Sequence, residues 1–180
     1  MKLLITFLFI STFAYGQKTT FVIIKKDSTE IKAKNYSINS KFLKITLPDG
    51  RKIKLNHSQL DKIIHVYKDR KGSEKTTYQF VRVSKRNGFL MARIVEGKCN
   101  VYSNVSGAYG GGTNTTYYAK RENEQIATRI GSKDFLVVYN YKKVALEYFK
   151  DCSAIITKIK KKFKRKKIVE LVKFYNNNCK

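Results

Sequence analysis

The chain predicts an α+β fold: a mostly antiparallel β region over residues 17–131, followed by three short helices within 132–180 that pack on it. Two observations carry this expectation. Between Thr19 and Ile130 the apolar residues fall in short β-branched runs and period-two alternations separated by turn signals, the spacing of strands with a buried face. After Gly131 the apolar period lengthens to i, i+3, i+4, i+7, which places the same residue types along one side of a helix.

Residues 1–16 stand apart from both regions. One cation, Lys2, precedes the apolar run Leu3 to Ile10, and Ala14-Tyr15-Gly16 follow before Gln17. This is the layout of a cleavable secretory signal: a basic start, a short apolar centre and small residues at the two positions a signal peptidase reads. The apolar run is well short of the roughly 20 residues a permanent span needs, and no later stretch approaches that length. Gln17 stands where a bacterial lipoprotein carries its lipid-acceptor cysteine. The expectation is an exported mature chain, periplasmic or outside the cell, with no transmembrane span after cleavage.

The strands follow in order. Thr20 to Ile24 is a β-branched run ended by the polar turn Asp27-Ser28, and Glu30 to Lys34 alternates with period two. Phe42 to Leu47 and Lys52 to Leu55 flank Pro48-Asp49-Gly50, where proline presets one turn dihedral and glycine accepts a positive one. Leu60 to Tyr67, Thr76 to Ser84 and Gly88 to Val95 continue the series, with Asn87-Gly88 as a second hairpin signal. Alternation puts Tyr78, Phe80 and Arg82 on one face and Gln79, Val81 and Val83 on the other. Neither face is wholly polar, so this strand is expected at the centre of the sheet or beneath a helix. Cys99 to Tyr102 and Thr115 to Ala119 bracket a Ser, Asn, Gly and Tyr segment read as a flexible loop over 103–114. That loop and its stems carry Tyr102, Tyr109, Tyr117 and Tyr118, rings that bring contact area and a hydroxyl at low entropic cost and are therefore candidates for contacting a sugar or a protein.

Three helical stripes close the chain. Tyr141, Val144, Ala145, Tyr148 and Phe149 follow Asn140 as N-cap; Ile155, Ile156, Ile159 and Phe163 follow Ser153 as candidate cap; Ile168, Leu171, Val172 and Tyr175 form the third. Cys152 lies three and four residues before Ile155 and Ile156, and Cys179 lies four after Tyr175, so each thiol shares the apolar face of its helix. In an oxidising compartment the two are candidates for a disulfide, worth roughly 3 to 4 kcal/mol in the loop-entropy picture. Two independent buried thiols are the alternative, and Cys99, inside a strand, is either an inert buried thiol or a partner for one of the others.

Charge narrows the partners. The chain holds 38 Lys and Arg against 13 Asp and Glu, a formal +25, of which the leader contributes only Lys2. Eight of the ten residues from 158 to 167 are basic: Lys158, Lys160, Lys161, Lys162, Lys164, Arg165, Lys166 and Lys167. Such a run needs solvent or an anion to offset its self-repulsion, so it is read either as a solvated connector or as a contact for an anionic envelope polymer or lipid surface. Nucleic acid is the weaker fit, because lysine far outnumbers arginine and does little bidentate reading of bases.

No motif points to a cofactor, a metal or a nucleophile. The glycines from Gly107 to Gly112 are followed by Thr113-Asn114-Thr115 and a strand, whereas a phosphate loop needs lysine, then Ser or Thr, and a helix. His57 and His65 are the only imidazoles, without His-x-His or Cys-x-x-Cys spacing. Asp61 and His65, four apart, are read as a surface pair. A secreted hydrolase would have to use carboxylates such as Asp61, Glu96 or Glu122, among which nothing selects a pair. The leading expectation is thus a noncatalytic protein that contacts a polyanion or another envelope component through the basic junction and the tyrosine loop; an exported nucleic-acid binder is the third reading.

The order of leader, hairpins, tyrosine and glycine insertion, then Tyr141 to Cys152 and Ile168 to Cys179, resembles a group of small exported bacterial envelope proteins. In that group a helix end carrying phenylalanine, aspartate and cysteine, here Phe149, Asp151 and Cys152, recurs with a final tyrosine, asparagine and cysteine, here Tyr175, Asn178 and Cys179. The likeness covers residues 115–180 best and thins before residue 70, and Ser153 departs from the group's proline. It implies an envelope location and adds no activity or site.

Overall fold

The computed structural model describes residues 18–39, 42–69, 72–107, 112–133 and 139–179. The leader at 1–16 and Tyr109 lie outside them. The fold is α+β, as the two periodicities predict: among the described residues eleven strands form two antiparallel sheets, and three helices follow.

The strands are β1 (Lys18–Lys25), β2 (Glu30–Ala33), β3 (Asn35–Ile38), β4 (Phe42–Thr46), β5 (Lys52–Asn56), β6 (Leu60–Asp69), β7 (Gly72–Arg82), β8 (Gly88–Val95), β9 (Cys99–Gly107), β10 (Thr113–Arg121) and β11 (Thr128–Ser132). Eight of them form one sheet in the order β11-β10-β9-β8-β7-β6-β1-β2, and β3-β4-β5 form a second. Only Lys34 separates β2 from β3, so the chain steps from the edge of one sheet into the other without a loop. The turn Pro48-Asp49-Gly50 closes β4 onto β5, with Gly50 at φ 86 and the Asp49 carboxylate accepting from the Arg51 amide.

Register partners share a face of a sheet, and one such row runs Ile63, Tyr78, Ala92, Ser103, Tyr117 across β6 to β10. That face is covered twice. At its β1, β6 and β7 end the small sheet lies on it, and Ile23, Ile63 and Leu60 meet Leu43, Ile45 and Leu55. At its β9 to β11 end the helices lie on it: α1 (Tyr141–Tyr148), α2 (Ser153–Lys161) and α3 (Ile168–Asn178). There Cys99, Val101, Ala119 and Ile130 meet Phe149, Ile155, Ile159, Ile168 and Val172. The opposite face carries a smaller cluster of Val81, Met91, Tyr102 and Ala127. β7 is central, with Tyr78 and Phe80 packed on one core and Val81 and Val83 on another, as its two apolar faces predict.

Four local expectations change. β3 and β11 are strands that no sequence pattern singled out: β3 turns only Tyr36 even partly inward, and β11 contains Gly131, which reads as a breaker. Gly131 is there because a Cβ would stand 2.8 Å from Ile168 Cγ2 and 2.9 Å from the Arg165 carbonyl, so it lets the helical layer close on the sheet. Of the segment 103–114 read as a loop, residues 103–107 and 113–114 are strand. β9 and β10 stay paired out to Gly107 and Thr113, because Val, Asn, Ser and Thr facing one another continue the ladder in spite of a loop-like composition. The N-cap of α2 is Cys152 and not Ser153, whose carbonyl instead accepts from the Thr157 hydroxyl within the helix. Asn140 does cap α1, its side chain accepting from the Lys143 amide.

Candidate functional site

The basic run folds into three pieces. Lys158, Lys160 and Lys161 occupy the last turn of α2, where cations face the negative end of the helix dipole; Lys162 is its C-cap; Lys164 leads into a 3-10 turn of Arg165, Lys166 and Lys167. Phe163 breaks the run and turns inward against the helical core. With Leu171 and Phe174 of α3 it makes the apolar floor of an open groove of about 550 Å³ between α2 and α3. Lys158, Lys161, Lys162, Lys164 and Lys167 line that groove, whereas Lys160, Arg165 and Lys166 do not.

The groove carries one carboxylate, Glu170, which Lys167 pairs at 3.2 Å. Lys158 Nζ sits 3.9 Å from the centre of the Phe174 ring, a cation over an aromatic face. Lys161, Lys162 and Lys164 make no ion pair among the described residues. The arrangement is a cationic rim above an apolar floor. It can attract an anion and bury apolar surface.

The tyrosines behave differently. Tyr102 and Tyr117 are each 5% exposed and belong to opposite faces of the large sheet, so their rings serve packing. Tyr118 is half-buried beside Tyr102, and Tyr109 lies outside the described residues. The alternation that fixes one tyrosine inward and its neighbour outward was available in the sequence, but a loop reading of the stems conceals it.

The cysteines meet as their helix faces suggest. Cys152 and Cys179 form a disulfide with Cα atoms 5.7 Å apart, spanning 27 residues. Cys99 is the buried free thiol, and burial pushes its pKa up to about 11, so it is a poor nucleophile.

Beside the disulfide lies a polar junction absent from the sequence reading. Arg121, at the end of β10, reaches the Asp151 carboxylate at 2.7 Å, the Tyr148 carbonyl at 2.8 Å and Glu124 at 3.6 Å. The Tyr148 hydroxyl donates to Glu124 at 2.7 Å and the Tyr175 hydroxyl donates to Asp151. Burial, then the nearby Cys99 thiol and Glu124, drives the Tyr148 phenol far above its ordinary range, so it stays a donor. Asn176 brackets the Cys99 peptide, accepting from its N–H and donating to its carbonyl, each at 2.9 Å. Tyr175 with Asp151 and Cys179 with Cys152 therefore join the end of α3 to the segment after α1, and Arg121 ties Asp151 to the sheet.

His65 also departs from its expectation. It is buried among Phe21, Tyr36, Tyr67 and Tyr78, with Tyr36 Oη 2.7 Å from Nε2 and Tyr67 Oη 2.9 Å from Nδ1, while Asp61 lies near Lys62 instead. The intended surface pair does not form because β6 turns His65 toward the core side. Of the carboxylates considered for hydrolysis, Glu96 pairs with Arg93 at 3.0 Å and Glu122 is exposed. Among the described residues no three His, Cys, Asp or Glu side chains gather as metal ligands, and no helix is long and apolar enough to cross a membrane. Comparison with known protein families, with curated proteins and with solved structures finds no match.

Proposed function

We propose that this is an exported, noncatalytic envelope protein that docks on an anionic lipid surface through the groove between α2 and α3. The observation that carries the reading is the apolar floor of Phe163, Leu171 and Phe174 beneath the rim of Lys158, Lys161, Lys162 and Lys164. A soluble polyanion would be served by the cations alone, whereas an amphiphilic surface rewards both layers, apolar side chains at the acyl boundary and ammonium groups at the headgroups. Export is supported by the leader, by the resemblance to small exported proteins and by the Cys152–Cys179 disulfide, a bond that persists in oxidising compartments.

Co-sedimentation with vesicles tests it. The chain is expected to bind vesicles rich in anionic phospholipid, to ignore neutral ones, and to release as salt rises. Replacing Lys161, Lys162 and Lys164 with Gln removes about 1 kcal/mol per cation near such a surface, so affinity is expected to fall about a hundredfold. Phe163→Ala is expected to weaken vesicle binding while leaving retention on a wall polymer or on DNA unchanged. Tighter retention on polymer or DNA than on vesicles would reject the lipid reading.

A further inference from the structure

A second cleft shares no residue with the helical groove, and the strand register creates it. β6 and β7 pair from Asp69 and Gly72 as far as Ile63 and Tyr78. Past that point β6 continues to Leu60 beside β1, and β7 continues to Arg82 beside β8. The two strands part, and between Leu60 and Asp61 on one side and Gln79 to Arg82 on the other a cleft of about 570 Å³ opens in the sheet, large for an inorganic ion and of a size that takes an organic ligand.

Its walls are cationic and polar. Lys26, Arg82, Lys85, Arg86 and Lys120 line it against one carboxylate, Asp61. Among the described residues none of the five makes an ion pair. Two of them are held in place: the Ser84 hydroxyl oxygen accepts from the Arg86 and Asn87 amides, and Val83 and Ser84 both donate to the Asn87 carbonyl, which fixes the turn that carries Lys85 and Arg86. Like charges gathered around a concavity focus positive potential and select an anion. The rest of the lining selects more than charge. The Asn87 and Gln125 side-chain amides are unengaged among the described residues, Gln79 is anchored by the Tyr102 hydroxyl at 3.0 Å, and the His57 ring stacks on Phe80 with centres 4.4 Å apart.

We infer that this cleft binds a short acidic oligosaccharide. Carboxylates or other anionic substituents of the sugar meet Arg82, Lys85, Arg86 and Lys120, its hydroxyls meet the amides of Asn87 and Gln125, and the C–H face of a pyranose ring meets the aromatic and aliphatic wall. A bare phosphate would leave the amides and most of the volume unused, and an apolar ligand would leave five cations without a counter-ion. The site stands independently of the lipid reading, since it shares no residue with the α2–α3 groove.

Calorimetric titration of the disulfide-bonded protein with a uronic acid trimer, a neutral trimer of the same length and inorganic phosphate tests the inference. The acidic trimer is expected to bind, the neutral trimer and phosphate to bind at least about tenfold more weakly, and the Arg82→Gln, Lys85→Gln, Arg86→Gln triple variant to lose about tenfold or more, charge–charge contacts being lost at three positions. The Lys161→Gln, Lys162→Gln, Lys164→Gln variant is expected to bind the trimer as the parent does, which separates this site from the groove. Backbone amide shifts of the unaltered protein give an answer without any substitution: trimer-induced changes at Gln79, Asn87 and Gln125 support the cleft, and changes confined to Lys158 to Lys167 overturn it. Absence of trimer binding, equal affinity for phosphate, or an unchanged triple variant also overturns it.

Discussion

One face of the large sheet is buried twice, and the two covers hold by different means. At the β1, β6 and β7 end the cover is a second sheet, joined through the single residue Lys34 and closed by a tight turn at Pro48 to Gly50, with β4 paired on both sides by β3 and β5. At the β9 to β11 end the cover is three helices of 8, 9 and 11 residues. Each is shorter than the roughly 12 to 15 residues an isolated helix needs in water, so it persists only through what it touches. The helical cover accordingly carries cross-links of three kinds: the Cys152–Cys179 bond, the Arg121 junction and the Asn176 bracket on Cys99. The small sheet has its turns, its apolar side and a side-chain polar link to the large sheet, Tyr36 Oη to His65 Nε2 at 2.7 Å, where the short helices carry a covalent bond, an ion-pair junction and an amide bracket.

The sharpest way to break this contrast is at the centre of the helical core. Phe149 is fully buried against Tyr148 and Tyr175, and Phe149→Ala is expected to cost about 4 kcal/mol in denaturant unfolding. A loss below about 1 kcal/mol would mean that the helices sit loosely and that the apolar contact is not what holds them. Next comes the disulfide. Cys152→Ser with Cys179→Ser frees a span of 27 residues, and the loop-entropy relation sets the expected loss at about 3.5 kcal/mol, read as a lower thermal midpoint. Arg121→Met is expected to cost about 2 kcal/mol, because Glu124 and Asp151 lose their shared cation while remaining partly exposed. Arg121→Lys should fail to restore it, since one ammonium cannot meet both carboxylates and the Tyr148 carbonyl in a planar fork.

A fourth test addresses the sheet cover alone. Burial holds the His65 pKa below the usual imidazole value, so the unfolded chain takes up a proton that the folded one resists. Stability is therefore full above about pH 6.5 and declines as pH falls through that value toward the lower folded pKa. His65→Phe is expected to flatten that limb of a Tm-against-pH curve, and Arg121→Met to leave it in place; the reverse pattern would place the titration in the helical cover. The smallest effect is kinetic. Cys99 lies at 0% exposure beneath the helices, so alkylation in the native state reports their opening. It is expected to be slow in the parent protein and faster in the double serine variant, and equal rates would show that the disulfide does not govern that opening.

Local pattern made much of this architecture legible. Pro48-Asp49-Gly50 and Asn87-Gly88 marked hairpins, the two-sided strand around Tyr78 marked a central position, Asn140 marked a helix start, and the shared faces of Cys152 and Cys179 marked a bond. Half of the candidate groove was legible as well: the run from Lys158 to Lys167 announced its charge, and of its two apolar residues, Ile159 and Phe163, Phe163 lines the groove. Phe174, some distance along the chain, becomes part of the same surface only when α3 folds back beside α2. The cleft between β6 and β7 had no signal at all, for each strand reads as unbroken, and their separation depends on which neighbour each keeps past Ile63 and Tyr78.

The sequence by itself determined the α+β class, the places where the chain turns, the inward side of most elements and the excess of positive charge, because all of these follow from neighbours a few residues apart. Tertiary structure alone decided that one sheet face would carry both covers, that Tyr102 and Tyr117 would be buried on opposite sides, that His65 would face the core, and that Arg121 would join two carboxylates. Those outcomes depend on register between distant strands, and a shift of one residue would reverse which side chains meet.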